Sequence, residues 1–175
     1  MLEFYICKKI ILKHTEREYQ IFFGDNDDYY LDVIQSYDRG RKLRFNPYAF
    51  FLGIFWLLYR KMYLTFTFIV VLIFLQAFIE ETLYENYLIS YQTYNSLDII
   101  SRLVWASVLG LFGNKFYQLE VDRKISRVLN ENLSEQETKT KLGKVGGTTL
   151  IPHLILVLII GFLMYLFHQG YLDNY

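Results

Sequence analysis

The chain of 175 residues has one cysteine, three histidines and no excess of either charge, with 18 Lys and Arg against 18 Asp and Glu. A lone Cys7 excludes an intrachain disulfide and a cysteine-built zinc site, and leaves the redox compartment open. His14, His153 and His168 are scattered, and no pair has the four-residue spacing of a helical metal site. His153 and His168 sit near the two ends of the last apolar run, where headgroups or water solvate an imidazole, so a proton relay is not the favoured reading. Balanced charge without a basic block argues against nucleic-acid binding. There is no G-x-S-x-G, Walker A or HExxH pattern, and Gly146-Gly147 lacks the lysine and spacing of a phosphate loop, so it reads as a turn. Neither a fixed-period repeat nor a low-complexity linker is visible. No catalytic set, cofactor or metal is expected.

Apolar sequence is abundant. Hydrophobic residues make up 53% and aromatic residues 19% of the chain, and the mean hydropathy of +0.18 averages two different materials. A helix rises about 1.5 Å per residue and the hydrocarbon layer is roughly 30 Å thick, so a span needs about 20 apolar residues. Three runs approach that length: Met62 to Ile79, Ile99 to Tyr117 and Leu150 to Phe167. A fourth, Tyr48 to Tyr59, is too short, and Arg60 and Lys61 separate it from the first. Fusing the two would put both cations at mid-bilayer, at roughly 2.5 to 3.5 kcal/mol each. Residues 48–59 therefore read as a re-entrant or interfacial helix. The fold expected is all-α: a multi-pass membrane domain over 45–168 with three transmembrane helices, preceded by a cytoplasmic helical segment, 1–44.

Local signals fill in the remainder. Residues 1–13 read as a short amphipathic helix. Thr15 with Glu18, and Ser134 with Glu137, have capping-box spacing. Helices are predicted over 16–23, stopped by Gly24, and from about Asp27, capped by Asp25 or Asn26, to Asp38, ended by Gly40. Arg39, Arg41, Lys42 and Arg44 form a basic flank, whereas Glu80 to Asp98 holds four acids and no base. The bias of Lys and Arg places the N-terminus inside. Tyr117, Val121, Ile125 and Val128 continue the helical period beyond the second span, predicting an amphipathic cytoplasmic segment over 118–147. Pro152 is tolerated in the first turn of the last span, and the tail 169–175 would lie outside. The N-terminus lacks the features of a signal peptide, so the first span is expected to serve as the insertion signal.

FFGDNDDYYLDVIQSYDRG from Phe22 to Gly40, followed by FNPYAFFLGIFWLLYRKMY from Phe45 to Tyr63, resembles the bacterial membrane proteins grouped as domain of unknown function 2628. GNKFYQLEVDRKISR from Gly113 to Arg127, with GGTT from Gly146 to Thr149, is similar to a second signature of that family. The resemblance implies the bacterial inner membrane and implies no activity. Family members often have Trp and a small residue where this chain has Pro47 and Tyr48, and proline where it has Ile54. Without that proline, nothing forces a kink after Gly53.

Several residues are candidates for contacts. Arg60 and Lys61, with Trp56, Tyr59 and Tyr63 nearby, suit lipid headgroups or generic positive-inside anchoring. Tyr84, Tyr87, Tyr91 and Tyr94 recur at helical spacing, which would align them on one helix face for a partner or for interfacial anchoring, the latter favoured. Ala106, Ser107, Gly110 and Gly113, next to Asn114, have the spacing at which one span packs closely on another. Asp25, Asp27 and Asp28 read as helix-capping acids, since a calcium loop starting at Asp25 would meet Tyr30 and Ser36 where it requires glycine and glutamate. Glu81 and Glu85, at i, i+4 spacing, read as solvated carboxylates at the outer interface. The expectation is a non-enzymatic membrane protein that contacts the bilayer and binds or regulates a membrane partner or a second copy of itself. The alternative is a subunit of an oligomeric transporter or channel with Arg102, Asn114 and Lys115 as polar contributors. A lipid-modifying enzyme is the weakest reading, because no nucleophile and base pair is recognisable.

Overall fold

The computed structural model of the protein describes residues 13–24 and 27–168. The helix read over 1–13, apart from Lys13, the caps proposed at Asp25 and Asn26, and the tail 169–175 lie outside the described residues. Those described form eight helices and no strand: α1 (Glu16–Phe23), α2 (Asp27–Asp38), α3 (Pro47–Leu52), α4 (Ile54–Tyr59), α5 (Tyr63–Glu85), α6 (Tyr91–Leu129), α7 (Glu135–Val145) and α8 (Ile151–His168). The fold is all-helical, and α5, α6 and α8 are each long and apolar enough to cross a membrane.

Helix starts follow local chemistry. Both capping boxes form: Thr15 and Ser134 each accept from the backbone N–H three residues on, while Glu18 and Glu137 reach back to the cap N–H. The Asn46 side chain caps α3 by accepting from the Ala49 N–H, with Pro47 in the first turn. Three helix ends share one device. After α2, α4 and α5 the chain closes the reciprocal pair of backbone hydrogen bonds of a Schellman motif, with Gly40, Lys61 and Tyr87 in the left-handed position.

The sequence leaves the short apolar run 48–59 without a reason to kink, but it is two helices that break at Gly53. Gly53 takes φ +56° and ψ −130°, a conformation in which a Cβ is strained, so glycine by itself supplies the break. The tyrosine series is also interrupted. Tyr84 lies in the last turn of α5, Tyr91 and Tyr94 lie at the start of α6, and the turn between them leaves Tyr87 95% exposed. The turn nevertheless brings the others together, with the Tyr84 ring 5.1 Å from Tyr94 and 6.1 Å from Tyr91.

The long helix α6 organises the molecule. Its N-terminal half pairs with α5 through a polar chain in which Trp105 Nε1 donates to Gln76 Oε1 (2.6 Å), while Gln76 Nε2 and Ser101 Oγ both donate to Glu80 Oε1 (2.7 Å each). Such bonds matter where water is scarce. Its C-terminal half buries Tyr117, Val121, Ile125 and Val128, the face read from the sequence, in a module completed by α1, α2, α4 and α7. Tyr19, Phe22, Phe23, Tyr30, Trp56 and Leu142 are among the other members of that core.

The α7–α8 connection fastens this module to the membrane helices. Gly147 N–H donates to the Phe22 carbonyl (2.7 Å), and Thr149 N–H donates to the Tyr59 carbonyl (3.0 Å). A Cβ on Gly146 would lie 2.0 Å from the Phe22 carbonyl oxygen, so this glycine is required by close approach and not merely by a turn. Gly146→Ala should displace the connection from α1 and lower stability by about 1–3 kcal/mol, measured by thermal unfolding in detergent.

Within the module the Tyr19 hydroxyl donates to Asp122 Oδ1 at 2.6 Å. Burial, then the bond to Asp122 and its charge, hold the phenol pKa well above the ordinary tyrosine value. A raised folded-state pKa leaves stability intact below the unfolded value near 10 and erodes it above. Wild type should exceed Tyr19→Phe by about 1 kcal/mol at neutral pH. From about pH 10 upward the gap should shrink by up to about 1.4 kcal/mol per pH unit. Unfolding curves of both proteins across that range provide the measurement.

Candidate functional site

Arg60 and Lys61 are adjacent, yet the end of α4 sends them to different places. Arg60 is the C-cap of α4, and its side chain turns into the protein and is only 6% exposed. Lys61 follows with φ +56°, a left-handed conformation that costs a non-glycine residue about 1–2 kcal/mol. Its interactions offset that strain. Lys61 Nζ donates to the Lys144 carbonyl at 3.0 Å and, closely, to the Gly146 carbonyl. The Lys61 carbonyl accepts from Lys124 Nζ at 2.8 Å. Lys124 in turn pairs with the buried Glu120 at 3.3 Å, and desolvation lowers the pKa of both lysines. Lys61 is thus a tie between α4, α6 and the α7–α8 connection, and much of its charge is spent on backbone carbonyls.

Arg60 is surrounded instead by tyrosines. Its guanidinium carbon lies 4.5 Å from the Tyr30 ring centroid, 5.5 Å from Tyr117 and 5.6 Å from Tyr59. Each such contact contributes about 0.5–2 kcal/mol, the upper value when desolvated. Nε and Nη1 are buried without a hydrogen-bond acceptor, and the neighbouring Tyr117 hydroxyl is likewise unpartnered. Among the described residues no acid pairs with Arg60. Burying an ion without a counter-charge costs several kcal/mol, which the aromatic faces offset in part. The cage also raises the Tyr30 hydroxyl to about 12, since burial outweighs the attraction of the nearby cation.

A cavity of about 340 Å³ opens beside Arg60, lined by Tyr29, Tyr30, Tyr48, Leu52, Trp56 and Tyr59. Its shape depends on how closely α3 approaches α6. A Cβ on Gly110 would meet the Phe45 ring at 2.7 Å and Phe50 Cβ at 2.9 Å, and one on Gly113 would meet Ala49 Cβ at 2.9 Å. Across the same contact Asn46 N–H donates to the Gly110 carbonyl (2.7 Å) and Asn46 Nδ2 donates to Asn114 Oδ1 (2.8 Å). Asn114 Nδ2 completes the network with Tyr29 Oη (3.1 Å) and the Arg44 carbonyl (3.2 Å). Gly110 and Gly113 therefore admit the short helix α3 and not a second span.

Of the other residues singled out in the sequence, Trp56 is buried in the cage wall and Tyr63 faces outward. Ala106 and Ser107 are half-buried, and the Ser107 hydroxyl donates to the Leu103 carbonyl of its own helix. Arg102 pairs with Asp98 at 2.7 Å, and Lys115 Nζ donates to Gln118 and lies 4.8 Å from the Tyr37 ring centroid. Arg102, Asn114 and Lys115 do not converge. Sequence reasoning missed Tyr29, Tyr30 and Asn46 as site residues and placed Tyr117 only on a buried helix face; the advance signal for the tyrosines was aromatic residues at helix positions otherwise suited to an apolar core.

Three helices long and apolar enough to cross a bilayer, attached to a helical module with an aromatic core, make this a multi-pass helical membrane protein in contact with lipid. The family model described as protein of unknown function (DUF2628) matches residues 20–123, more than half of the 175-residue chain, and the protein belongs to that family. The match takes in the whole arginine cage and stops short of Gly146–Thr149. No curated protein and no solved structure matches the chain.

Replacing a buried unpaired cation by an apolar side chain of similar length removes a desolvation cost while giving up cation–π contacts. Arg60→Met should therefore unfold within about 1 kcal/mol of wild type, or later, in thermal denaturation. A large loss of stability would mark Arg60 as structural.

Proposed function

We propose that the protein is a non-enzymatic component of the bacterial inner membrane that binds or regulates a partner membrane protein, with its N-terminus cytoplasmic and its C-terminus external. The supporting observation is the isolation of α8. None of its 18 residues is buried, and it meets the rest of the molecule at its N-terminal end, against α4. Lipid alone gives such a helix no defined position. Apolar packing in a bilayer comes from close side-chain fit, which a second protein provides. A groove of about 520 Å³ between α4, α5 and α8 offers that fit, with Phe55, Leu58, Phe66, Val70, Ile155 and Ile159 among its walls. The orientation rests on the basic flank at Arg39 to Arg44 and the acidic connection after α5. In this arrangement α3 and α4 lie at the cytoplasmic interface, with Phe51, Leu52 and Phe55 turned outward.

Photo-crosslinkers at Val70, Ile155 and Ile159, introduced one at a time in native membranes, should yield the same protein-sized adduct. Crosslinkers on the opposite face of α8 should not. Only lipid-sized adducts from every position would overturn the reading. Reporter fusions at Tyr87, Asn132 and Tyr175 should report outside, inside and outside; an inside C-terminus would refute the orientation.

A further inference from the structure

We propose that the cavity at Arg60 is a binding site for the phosphate of an anionic membrane phospholipid. Four observations carry it. Arg60 lines the cavity, is 6% exposed, and keeps Nε and Nη1 unpaired. No lining residue is acidic. The Tyr29 hydroxyl accepts from Asn114 Nδ2, which leaves its own proton free to donate alongside those of Tyr48 and Tyr59. Tyr48 and Leu52 of α3, both at least half exposed, form the outer part of the cavity wall.

A tyrosine cage ordinarily attracts a cation, but here the protein supplies its own. The cage holds the guanidinium by its aromatic faces and leaves Nε and Nη1 without acceptors. Nε and Nη1 each share an edge with Nη2, and a guanidinium edge matches two oxygens of a phosphate, a geometry that an ammonium group cannot reproduce. The ligand must be amphiphilic to suit both parts of the site. Its phosphate meets Arg60 and the phenols, while its acyl chains run along the apolar residues at the rim. Entry requires the mouth to widen, and Tyr48, 64% exposed, is free to swing. Neutral headgroups containing a quaternary amine bring a second cation towards Arg60 and are disfavoured.

Native mass spectrometry of the full chain tests this, after delipidation in detergent and titration with phosphatidylglycerol or phosphatidylcholine. Wild type should retain one phosphatidylglycerol per chain, with at least about tenfold preference over phosphatidylcholine. Arg60→Met should abolish the preference, and Arg60→Lys should weaken it severalfold while keeping the charge. Leu52→Trp, at an exposed position, narrows the mouth with Arg60 intact and should reduce binding by a similar factor. It also decides the matter if the Arg60 variants fail to fold. Equal retention of both lipids by wild type, or unchanged binding in Leu52→Trp, overturns the proposal. Inorganic phosphate separates the two possible sources of the anion. If millimolar phosphate displaces the lipid completely and stabilises the protein to the same degree, the site belongs to the free ion and the lipid assignment falls.

Discussion

Two helices that differ greatly in length meet at Gly110 and Gly113, and the absence of side chains there lets the six-residue α3 lie directly on the 39-residue α6. Backbone thus reaches backbone, from Asn46 N–H to the Gly110 carbonyl, and the paired amides of Asn46 and Asn114 satisfy each other within the contact. A buried amide without its partner costs about 1–3 kcal/mol, so the register between α3 and α6 has little freedom. Gly53 then redirects the chain, α4 brings Trp56 against Tyr117, and the end of α4 delivers Arg60 among the tyrosines. Had either glycine carried a side chain, the short helices would stand off from α6 and the cage would open.

The junction between apolar and polar halves concentrates the expensive chemistry. Lys61 accepts an unfavourable backbone angle and spends its ammonium on carbonyls of the α7–α8 connection, so α8 is attached through hydrogen bonds and not through a core of its own. Arg60 remains in an environment that stabilises its faces but not its N–H edges. Natural proteins rarely leave such a group unpaired unless something else completes it. A bound anion accounts for the deficit more simply than a purely structural role, because a hydrophobic side chain would fill the same volume at lower cost.

Periodicity and capping were legible in the chain. The boxes at Thr15 and Ser134, the stops at Gly24 and Gly40, and the buried stripe from Tyr117 to Val128 depend on residues a few positions apart. The tyrosines from Tyr84 to Tyr94 show how that reasoning fails. Three of them do meet, but across a hairpin whose turn at Tyr87 uses a left-handed residue that is not glycine. The break at Gly53 was hidden for a similar reason, since a glycine inside an apolar run has no local signal to say which backbone angle it adopts.

The sequence by itself determined the helical class, the three bilayer-length runs and the separation of Arg60 and Lys61 from mid-membrane, because those follow from apolar length and from the cost of burying charge in hydrocarbon. Tertiary structure alone decided that the two cations part company. Arg60 is buried among tyrosines drawn from α2, α4 and α6, distant in the chain, and no spacing rule brings such residues together. The glycine-mediated contact of α3 with α6 helps to do so, through a close approach set by which atoms are missing.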